Sequence, residues 1–294
     1  MPELLRPRLG CGGPMVTSPR EDRDVFRLAP SMDDAVLRTV AERLEFRATD
    51  AGYVALSQAY FERLPLAPPC RVLAIGCGTG VEVRALRRRV EPEVVLVGID
   101  HSSALVERAR QETAHEGLSE NVEYLTGDAH DLPYSDAEFD VVTLHTLISH
   151  VDDPGRVLAE TRRVLRPGGT AAIFDGDYAS LTFAHPDPLT AVTVEEKLKQ
   201  IMVANPRVMR DLSRLLQEAG LDLVAADGAV YADIGTGSFW ANAAEAYAAL
   251  LGRSGLLPME VVEAWRAEQA DANARKAFFG ASVYYTYLAR RPRG

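Results

Sequence analysis

Short apolar runs alternate with longer segments of mixed polarity through the middle of the chain. Most runs are bounded on at least one side by glycine, proline or acidic residues, as is typical of buried strands. The runs lie at 71–75, 94–99, 122–125, 139–144 and 170–174. The segments between them predict helices at about 80–90, 102–116 and 154–166. Regular alternation of strands and helices predicts a parallel sheet with helices on both faces, which is a doubly wound α/β fold.

The two ends of the chain depart from this alternation. Two helical segments, at about 33–47 and 50–64, precede the first strand. The stretch 176–192 holds few periodic apolar residues, and we expect a loop over the functional site there. Beyond it, further helices are predicted at 193–204, 207–219, 241–252 and 258–276, and two closing strands at 221–230 and 281–288.

These patterns divide the chain into three regions. Residues 1–30 are rich in proline, glycine and arginine without a clear period, which predicts a flexible leader. Residues 31–66 are predicted to form a helical cap. Residues 67–294 are predicted to form one domain, with a helical insertion at about 238–277.

A glycine-rich turn follows the first strand, and an acidic residue ends the second. Gly76, Gly78 and Gly80 alternate directly after the apolar run, so the backbone can turn sharply and approach a ligand without a Cβ in the way. Asp100 follows the second run, where its carboxylate can accept hydrogen bonds from both ribose hydroxyls. This pairing predicts a nucleotide-binding strand–turn–helix–strand unit.

The spacing of the glycines distinguishes between classes of nucleotide. A dinucleotide fingerprint requires a glycine where this chain has Val81, and no phosphate loop ending in Lys-Ser or Lys-Thr occurs. An NAD-dependent oxidoreductase is therefore disfavoured. The motif present is G-x-G-x-G.

Further motifs follow the glycine loop and Asp100 in order. Gly127-Asp128-Ala129 comes after the third run, and the strings 149–154 and 165–169 come after the fourth. Over residues 70–175 this order resembles the class I S-adenosylmethionine-dependent methyltransferases, most closely the type 11 group that includes the ubiquinone and menaquinone biosynthesis methyltransferases. The resemblance implies a seven-stranded, mostly parallel Rossmann-like sheet with an antiparallel last strand. It also implies S-adenosylmethionine as the cofactor.

The resemblance further implies which residues contact the cofactor. Asp100 would bind the ribose hydroxyls, and Asp128 with the amide of Ala129 would bind the adenine, although Asp128 and His101 could instead cap the helix or turn beside them. Arg47 would face the cofactor carboxylate, with a surface salt bridge as its alternative role. The implied contacts are Arg47, Tyr53, Gly76, Cys77, Gly78, Gly80, Asp100, His101, Asp128, Ala129, His145 and Thr146.

Methyl transfer depends mainly on positioning, and it needs a base only where the nucleophile must lose a proton. His145 and His150 follow the strand whose carboxyl end faces the cofactor, so they are the candidate catalytic bases. A helix-capping or packing role is the alternative for His150. Asp175 and Tyr178, just past the fifth strand, are further candidates for substrate contact. No acidic cluster predicts a metal site.

One position departs from the pattern of the resembled family. Ala74 stands two residues before the first glycine, where the family has an aspartate or glutamate that organises the methionine ammonium. Loss of a charged hydrogen-bond partner costs about 1.5–3 kcal/mol. Three interpretations follow: another group compensates for the missing carboxylate, the cofactor binds weakly, or the protein has been repurposed and no longer transfers methyl groups.

The composition bounds the partners of the chain. Its 294 residues carry a net charge of −10, which disfavours general nucleic-acid binding, so we expect a small-molecule acceptor. No apolar run reaches the roughly 18 residues of a membrane helix, and we expect no membrane insertion. The three cysteines are too few and too scattered for a disulfide framework or a zinc site. A reduced, cytoplasmic bacterial enzyme, acting as a monomer or homodimer, is the expectation.

Two hypotheses follow for the function. The first is methyl transfer to oxygen or nitrogen of a small molecule in secondary or quinone-type metabolism. The second, favoured by Ala74, is a methyltransferase-like protein that binds the cofactor but catalyses another reaction or scaffolds a complex.

Overall fold

The computed structural model describes residues 34–293, so the predicted leader at 1–30 lies outside the described residues. The chain in this range forms one 3₁₀-helix at Ala59–Arg63 together with the α-helices and strands that we number in chain order. These are α1 (Asp34–Arg47), α2 (Ala51–Ser57), β1 (Arg71–Ile75), α3 (Val81–Arg87), β2 (Val95–Asp100), α4 (Ser103–His115), β3 (Val122–Thr126), β4 (Phe139–His145), α5 (Pro154–Val164), β5 (Leu165–Phe183), α6 (Pro188–Ile201), α7 (Val208–Glu218), β6 (Asp222–Gly235), α8 (Phe239–Ser254), α9 (Met259–Ala274) and β7 (Phe278–Arg290).

The seven strands form one sheet in the order β3-β2-β1-β4-β5-β7-β6. Strands β1 to β5 pair in parallel, and β7 is antiparallel to both β5 and β6. The predicted doubly wound, mostly parallel sheet with an antiparallel last strand is confirmed. The strand order reverses between β1 and β4, and such a reversal opens a crevice at the carboxyl ends of the strands.

Both faces of the central strands are buried, which explains why their sequences are nearly continuous apolar runs. On β1, Leu73 and Ile75 pack with residues of α5 and α7 on one face of the sheet. Val72 and Ala74 point to the opposite face, which is covered by α2, α8 and α9 and which we call the cap face. Because side chains alternate along a strand, Thr143 and His145 of β4 also point to the cap face.

The expected loop at 176–192 is wrong. Strand β5 continues to Phe183, because β7 is long enough to pair with it on both sides of an irregularity between Asp177 and Thr182. Helix α6 then begins at Pro188, where Asp187 accepts hydrogen bonds from two backbone amides of the first turn. A proline at the first helical position after an aspartate is a helix-start signal. The second N-terminal segment also differs, since α2 ends at Ser57 and a separate 3₁₀-helix follows.

Helices α8 and α9 precede β7 in the chain and pack on the cap face. Trp240 and Trp265 are almost completely buried there, and the Trp265 ring meets the Phe183 ring edge-on at 5.5 Å between centroids. The sequence-based boundary of this insertion stays a prediction. None of the helices between residues 34 and 293 combines the length and apolar character that a membrane span requires.

Replacing Trp265 with alanine should destabilise the protein by about 3–5 kcal/mol, because the change removes a buried indole that joins α9 to the end of β5. Urea denaturation followed by circular dichroism measures this loss. Met259→Ala in the same helix is the matched control, since Met259 is exposed and should change the free energy of unfolding little. Equal effects of the two substitutions would contradict the assigned packing.

Candidate functional site

A cavity of about 540 Å³ opens at the carboxyl ends of β1, β2 and β4, beneath α1 and α2. All but one of the residues predicted to contact the cofactor or act in catalysis line this cavity. The lining residues among them are Arg47, Tyr53, Gly76, Cys77, Gly78, Asp100, His101, Asp128, Ala129, His145, Thr146 and His150. The exception is Gly80, which starts α3 with φ +80° and lies against the hydroxyl of Tyr124, where a Cβ would approach to 2.5 Å. Gly80 therefore serves helix packing.

The glycine loop is held to β2 by its backbone. The amides of Gly76 and Cys77 both donate to the carbonyl of Ile99, at 2.7 and 3.0 Å. Gly76 has φ +71°, and a Cβ there would lie 2.6 Å from the side chain of Leu147. Any larger residue at position 76 would be strained and would clash, so this glycine is required by the turn itself.

Asp100 connects the loop to the helix that follows β2. One carboxylate oxygen accepts from the amide of Gly78 at 2.8 Å, and the other accepts from the amide of Ser102 at 2.9 Å. The Nδ1 atom of His101 lies 3.2 Å from Asp100 Oδ1. A carboxylate has about four acceptor positions, so Asp100 keeps capacity for ligand hydroxyls in the cavity.

Asp128 and Ala129 lie on the far side of the cavity, after β3. Burial would raise the pKa of Asp128, but hydrogen bonds from the amide and ring of His130, at 2.8 and 2.7 Å, outweigh burial and hold this pKa below its usual range. The turn-capping role considered from the sequence is thus present. His130 also lines the cavity, which the sequence did not indicate.

A buried carboxylate that the sequence analysis missed lies on the cap face. Glu82 sits in the first turn of α3, lines the cavity and is 7% exposed. The Tyr60 hydroxyl donates to Glu82 Oε1 at 2.6 Å, and Thr143 lies beside the same carboxylate. Burial raises the pKa of Glu82 to about 7. No lysine or arginine among residues 34–293 forms a salt bridge with it.

The position of Glu82 bears on the departure at Ala74. Thr143 of β4 is the in-register neighbour of Ala74, and both point to the cap face. Because Thr143 lies beside Glu82, the carboxylate reaches the region next to Ala74 from the following helix. An acid in the first turn of a helix ordinarily indicates only a favourable helix-dipole interaction, so no local pattern distinguished Glu82 from other helix-start acids.

His145 is linked to Glu82 through Tyr60. The Tyr60 oxygen lies 3.0 Å from His145 Nδ1. When Glu82 is ionised, the single Tyr60 proton is donated to it, so the hydrogen bond between Tyr60 and His145 requires the proton on Nδ1 and leaves the lone pair on Nε2. Burial lowers the pKa of His145 to about 3, and the charge of Arg47 adds to this effect. His145 is therefore a neutral hydrogen-bond acceptor at pH 7, and its role as a base stays a prediction.

Arg47 and Tyr53 lie together where α1 meets α2. The Arg47 guanidinium donates to the Tyr53 hydroxyl and lies 4.7 Å from the centroid of that ring. The surface salt bridge considered for Arg47 does not form among the described residues. Arg47 and His150 also border a second, smaller cavity of about 120 Å³ between α1, α8 and the ends of β5 and β7. Arg47 and His150 therefore line both cavities.

The two further candidates for substrate contact, Asp175 and Tyr178, lie in different environments. Tyr178 lines the second cavity, and its ring meets that of His150 at 5.9 Å between centroids. Asp175 lines neither cavity, because it is completely buried and accepts from the amide and hydroxyl of Ser149 at 3.1 and 2.9 Å. Through these two hydrogen bonds, Asp175 holds the segment after β4 in position at Ser149. No group of three potential metal-ligating side chains occurs in the part of the chain that the structure describes.

A sheet in this order, with a glycine loop after β1, a carboxylate at the end of β2 and an acid–alanine pair after β3, defines the class I methyltransferase fold. Residues 73–173 match the methyltransferase domain family. The chain therefore contains a class I S-adenosylmethionine-dependent methyltransferase domain, whose cofactor is S-adenosylmethionine.

Similarity to known proteins extends beyond this domain. An uncharacterised 37.1 kDa protein in a transposon of Streptomyces fradiae is 33% identical over 201 residues, covering 68% of this chain and 57% of that protein. The 27-O-demethylrifamycin SV methyltransferase of Amycolatopsis mediterranei is 33% identical over 190 residues, covering 64% of this chain and 65% of that protein. The chain thus spans less than two thirds of the length of either relative. The crystal structure of the cyclase SpnF has the same fold, with a TM-score of 0.54, 22% identity and coverage of 84% of this chain and 86% of that chain.

The buried carboxyl of Glu82 should make the ligand-free protein less stable as the pH rises from about 4.5 to about 7. An unfolded glutamate ionises near the lower value and folded Glu82 near the upper one, so the folded state retains the proton between them and ionisation favours unfolding. Across this interval the free energy of unfolding should fall by about 3 kcal/mol relative to Glu82→Gln. Urea titrations at several pH values test this, with exposed Glu62→Gln as the control. A constant difference between wild type and Glu82→Gln would contradict the expectation.

Proposed function

We propose that this protein transfers the methyl group of S-adenosylmethionine to oxygen or nitrogen of a small-molecule acceptor, in secondary or quinone-type metabolism. One observation carries the proposal. The cavity at the switch point is lined by all the predicted cofactor contacts except Gly80, and it shares Arg47 and His150 with a second cavity that has aromatic and aliphatic side chains in its lining. A donor and an acceptor held in two adjoining cavities can be oriented for an in-line displacement.

The residues of the first cavity fit this cofactor. Asp100 has acceptor capacity left for the two ribose hydroxyls, and Ala129 offers a backbone amide on the adenine side. The hydroxyl of Thr79, in the glycine loop, is buried without a hydrogen-bond partner among the described residues. A buried hydroxyl without a partner is costly, and a polar ligand atom in the cavity would satisfy it.

Glu82 and Arg47 would bind the two charged ends of the methionine part. A buried carboxylate without a cation is unfavourable, and an ammonium group in the cavity would supply the missing charge. Arg47 faces the same cavity and offers a guanidinium to a carboxylate. Under this proposal Glu82 takes the role left open by Ala74, so the cofactor is bound without the strand carboxylate.

The bound cofactor supplies an activated methyl group, and the protein residues orient the acceptor toward it. His145, held neutral with Nε2 unprotonated, would accept a hydrogen bond from an acceptor hydroxyl or amine. His150, which lines both cavities, and Tyr178, which contacts it, would lie beside the point where the acceptor meets the cofactor. The 27-O-demethylrifamycin SV methyltransferase supports a small-molecule acceptor, since its name describes methylation of a small molecule at oxygen.

A second candidate function is another reaction performed with the cofactor bound. The SpnF structure favours it, because a protein of the same fold is named a cyclase. The two functions differ in their product. Methyl transfer releases S-adenosylhomocysteine in proportion to the acceptor consumed. Another reaction performed with the cofactor bound would consume its substrate without releasing S-adenosylhomocysteine.

Replacing Asp100 with alanine should weaken binding of S-adenosylmethionine and S-adenosylhomocysteine about 10- to 100-fold, because charged hydrogen bonds to the ribose are lost. Calorimetric titration of both ligands measures this loss. Ser102→Ala is the matched control, since it weakens the cap of α4 but leaves the Asp100 carboxylate in place. Equal losses in both variants would assign the effect to loop structure, and absence of binding to folded wild type would overturn the proposed function.

Replacing Glu82 with glutamine should remove the pH dependence of cofactor binding near neutrality. An ammonium group binds the ionised carboxylate, so the affinity of the wild type should rise about tenfold from pH 6 to about pH 8 as Glu82 loses its proton. Titrations of S-adenosylmethionine across this range measure the slope. Glu62→Gln should retain the slope of the wild type, and a slope that persists in Glu82→Gln would exclude Glu82 as the ammonium partner.

A further inference from the structure

The second cavity has positively charged lining residues and no acidic lining residue within residues 34–293. Arg43, Arg47 and Arg253 line it, and its described lining residues include no aspartate or glutamate. This is unexpected in a chain with a net charge of −10. Carboxylates are abundant on this protein, yet within residues 34–293 none forms a salt bridge with these arginines. The buried carboxylate of Asp175 lies near His150 and Tyr178 but accepts hydrogen bonds from Ser149.

Arg43 and Arg47 lie one turn apart on α1. Arg43 donates to the side-chain oxygen of Asn242 at 2.5 Å, and its guanidinium lies 5.0 Å from the centroid of the Phe239 ring. Arg47 donates to the Tyr53 hydroxyl. Burial lowers the pKa of Arg43, and the neighbouring charge of Arg47 acts in the same direction. Within residues 34–293 both guanidinium groups are thus bound by neutral groups alone, although like charges at this spacing repel.

Arg43 and Arg47 are half-buried, whereas the two buried arginines among residues 34–293 have acidic or carbonyl partners. Arg84, which is 3% exposed, pairs with Glu45 at 2.7 Å and with Glu116 at 3.1 Å. Arg87 donates to backbone carbonyls, including that of Val94 at 2.8 Å. The contrast indicates that the arginines of the second cavity are arranged for an anion that is not part of the chain.

The remaining lining combines aromatic side chains with aliphatic ones such as Val40, Leu181 and Met202. Tyr284 lines the cavity and packs against two rings that lie outside its lining, stacking on Phe174 with 5.5 Å between ring centroids and meeting Tyr53 edge-on at 5.7 Å. A volume of about 120 Å³ is of the size that holds one aromatic ring, since a cavity of about 150 Å³ in another protein binds benzene. The other aromatic lining residues are Tyr178, Phe239, Trp240 and Tyr247.

We propose that the second cavity binds an acceptor that carries a carboxylate on an aromatic ring, with Arg43 as the residue that selects the carboxylate. Arg253, at the exposed rim, adds to the attraction, and Arg47 is shared with the cofactor carboxylate. A planar guanidinium can bind a carboxylate through two parallel hydrogen bonds, which a neutral substituent cannot match. This inference rests on the proposed function, because it names the acceptor class of the same site.

The test compares an aromatic acid with its neutral isostere. Binding of 4-hydroxybenzoate and of 4-hydroxybenzamide is measured by calorimetry on the ligand-free protein and again with S-adenosylhomocysteine present. We expect the acid to bind at least tenfold more tightly than the amide. Equal affinities, or preference for the amide, would overturn the proposal.

Variants assign the preference to Arg43. Arg43→Met should abolish the preference for the acid while leaving binding of the amide nearly unchanged, and Arg43→Lys should keep a reduced preference. Exposed Arg38→Met, on the same helix, is the control and should match the wild type. A preference that survives in Arg43→Met would exclude Arg43 as the selecting residue.

Failure of the two proposals can be told apart. If S-adenosylmethionine binds but acid and amide bind equally, only the acceptor class is overturned. If the acid is preferred but S-adenosylmethionine does not bind, the anion site stands and the proposed methyl transfer fails.

Discussion

The carboxylate of Asp100 is the point on which the geometry of the cofactor cavity depends. Its two oxygens hold the amide of Gly78 on one side and the amide of Ser102 on the other, so the glycine loop and the start of α4 are fixed to the end of β2 by one side chain. The loop in turn fixes the start of α3. Through α3 it also sets the position of Glu82 beneath the cavity.

Three charged groups of the two cavities have no counterion within residues 34–293. Glu82 is a carboxylate bound only by neutral groups, and Arg43 and Arg47 are guanidinium groups bound only by neutral groups. Burying such charges is costly unless a ligand completes them. A cofactor with an ammonium and a carboxylate, together with an acidic acceptor, would supply the missing partners. The charges of the lining residues therefore indicate the class of ligand, as the shape of the cavities also does.

The sequence predicted the central sheet and most of the site because both depend on local signals. Strands β1 to β3 end at or just before glycine or acidic residues, and Asp100 ends β2 while Asp128 follows β3, where parallel strands place functional groups. The prediction failed at 176–192, where pairing with the distant β7 extends β5 through polar residues. Such pairing is a property of the partner strand, and no local pattern reports it.

The sequence by itself determined the doubly wound fold, the glycine turn and the cofactor class, since periodicity and conformational limits act over a few neighbouring residues. Only the tertiary structure decided that Gly80 packs a helix, that Asp175 is a brace, and that Glu82 lies on the same face as Ala74. It also placed Arg43 beside Asn242 and Phe239, with no salt bridge to it from residues 34–293. These outcomes depend on which side chains meet across the fold, and that is set by packing between elements far apart in the chain.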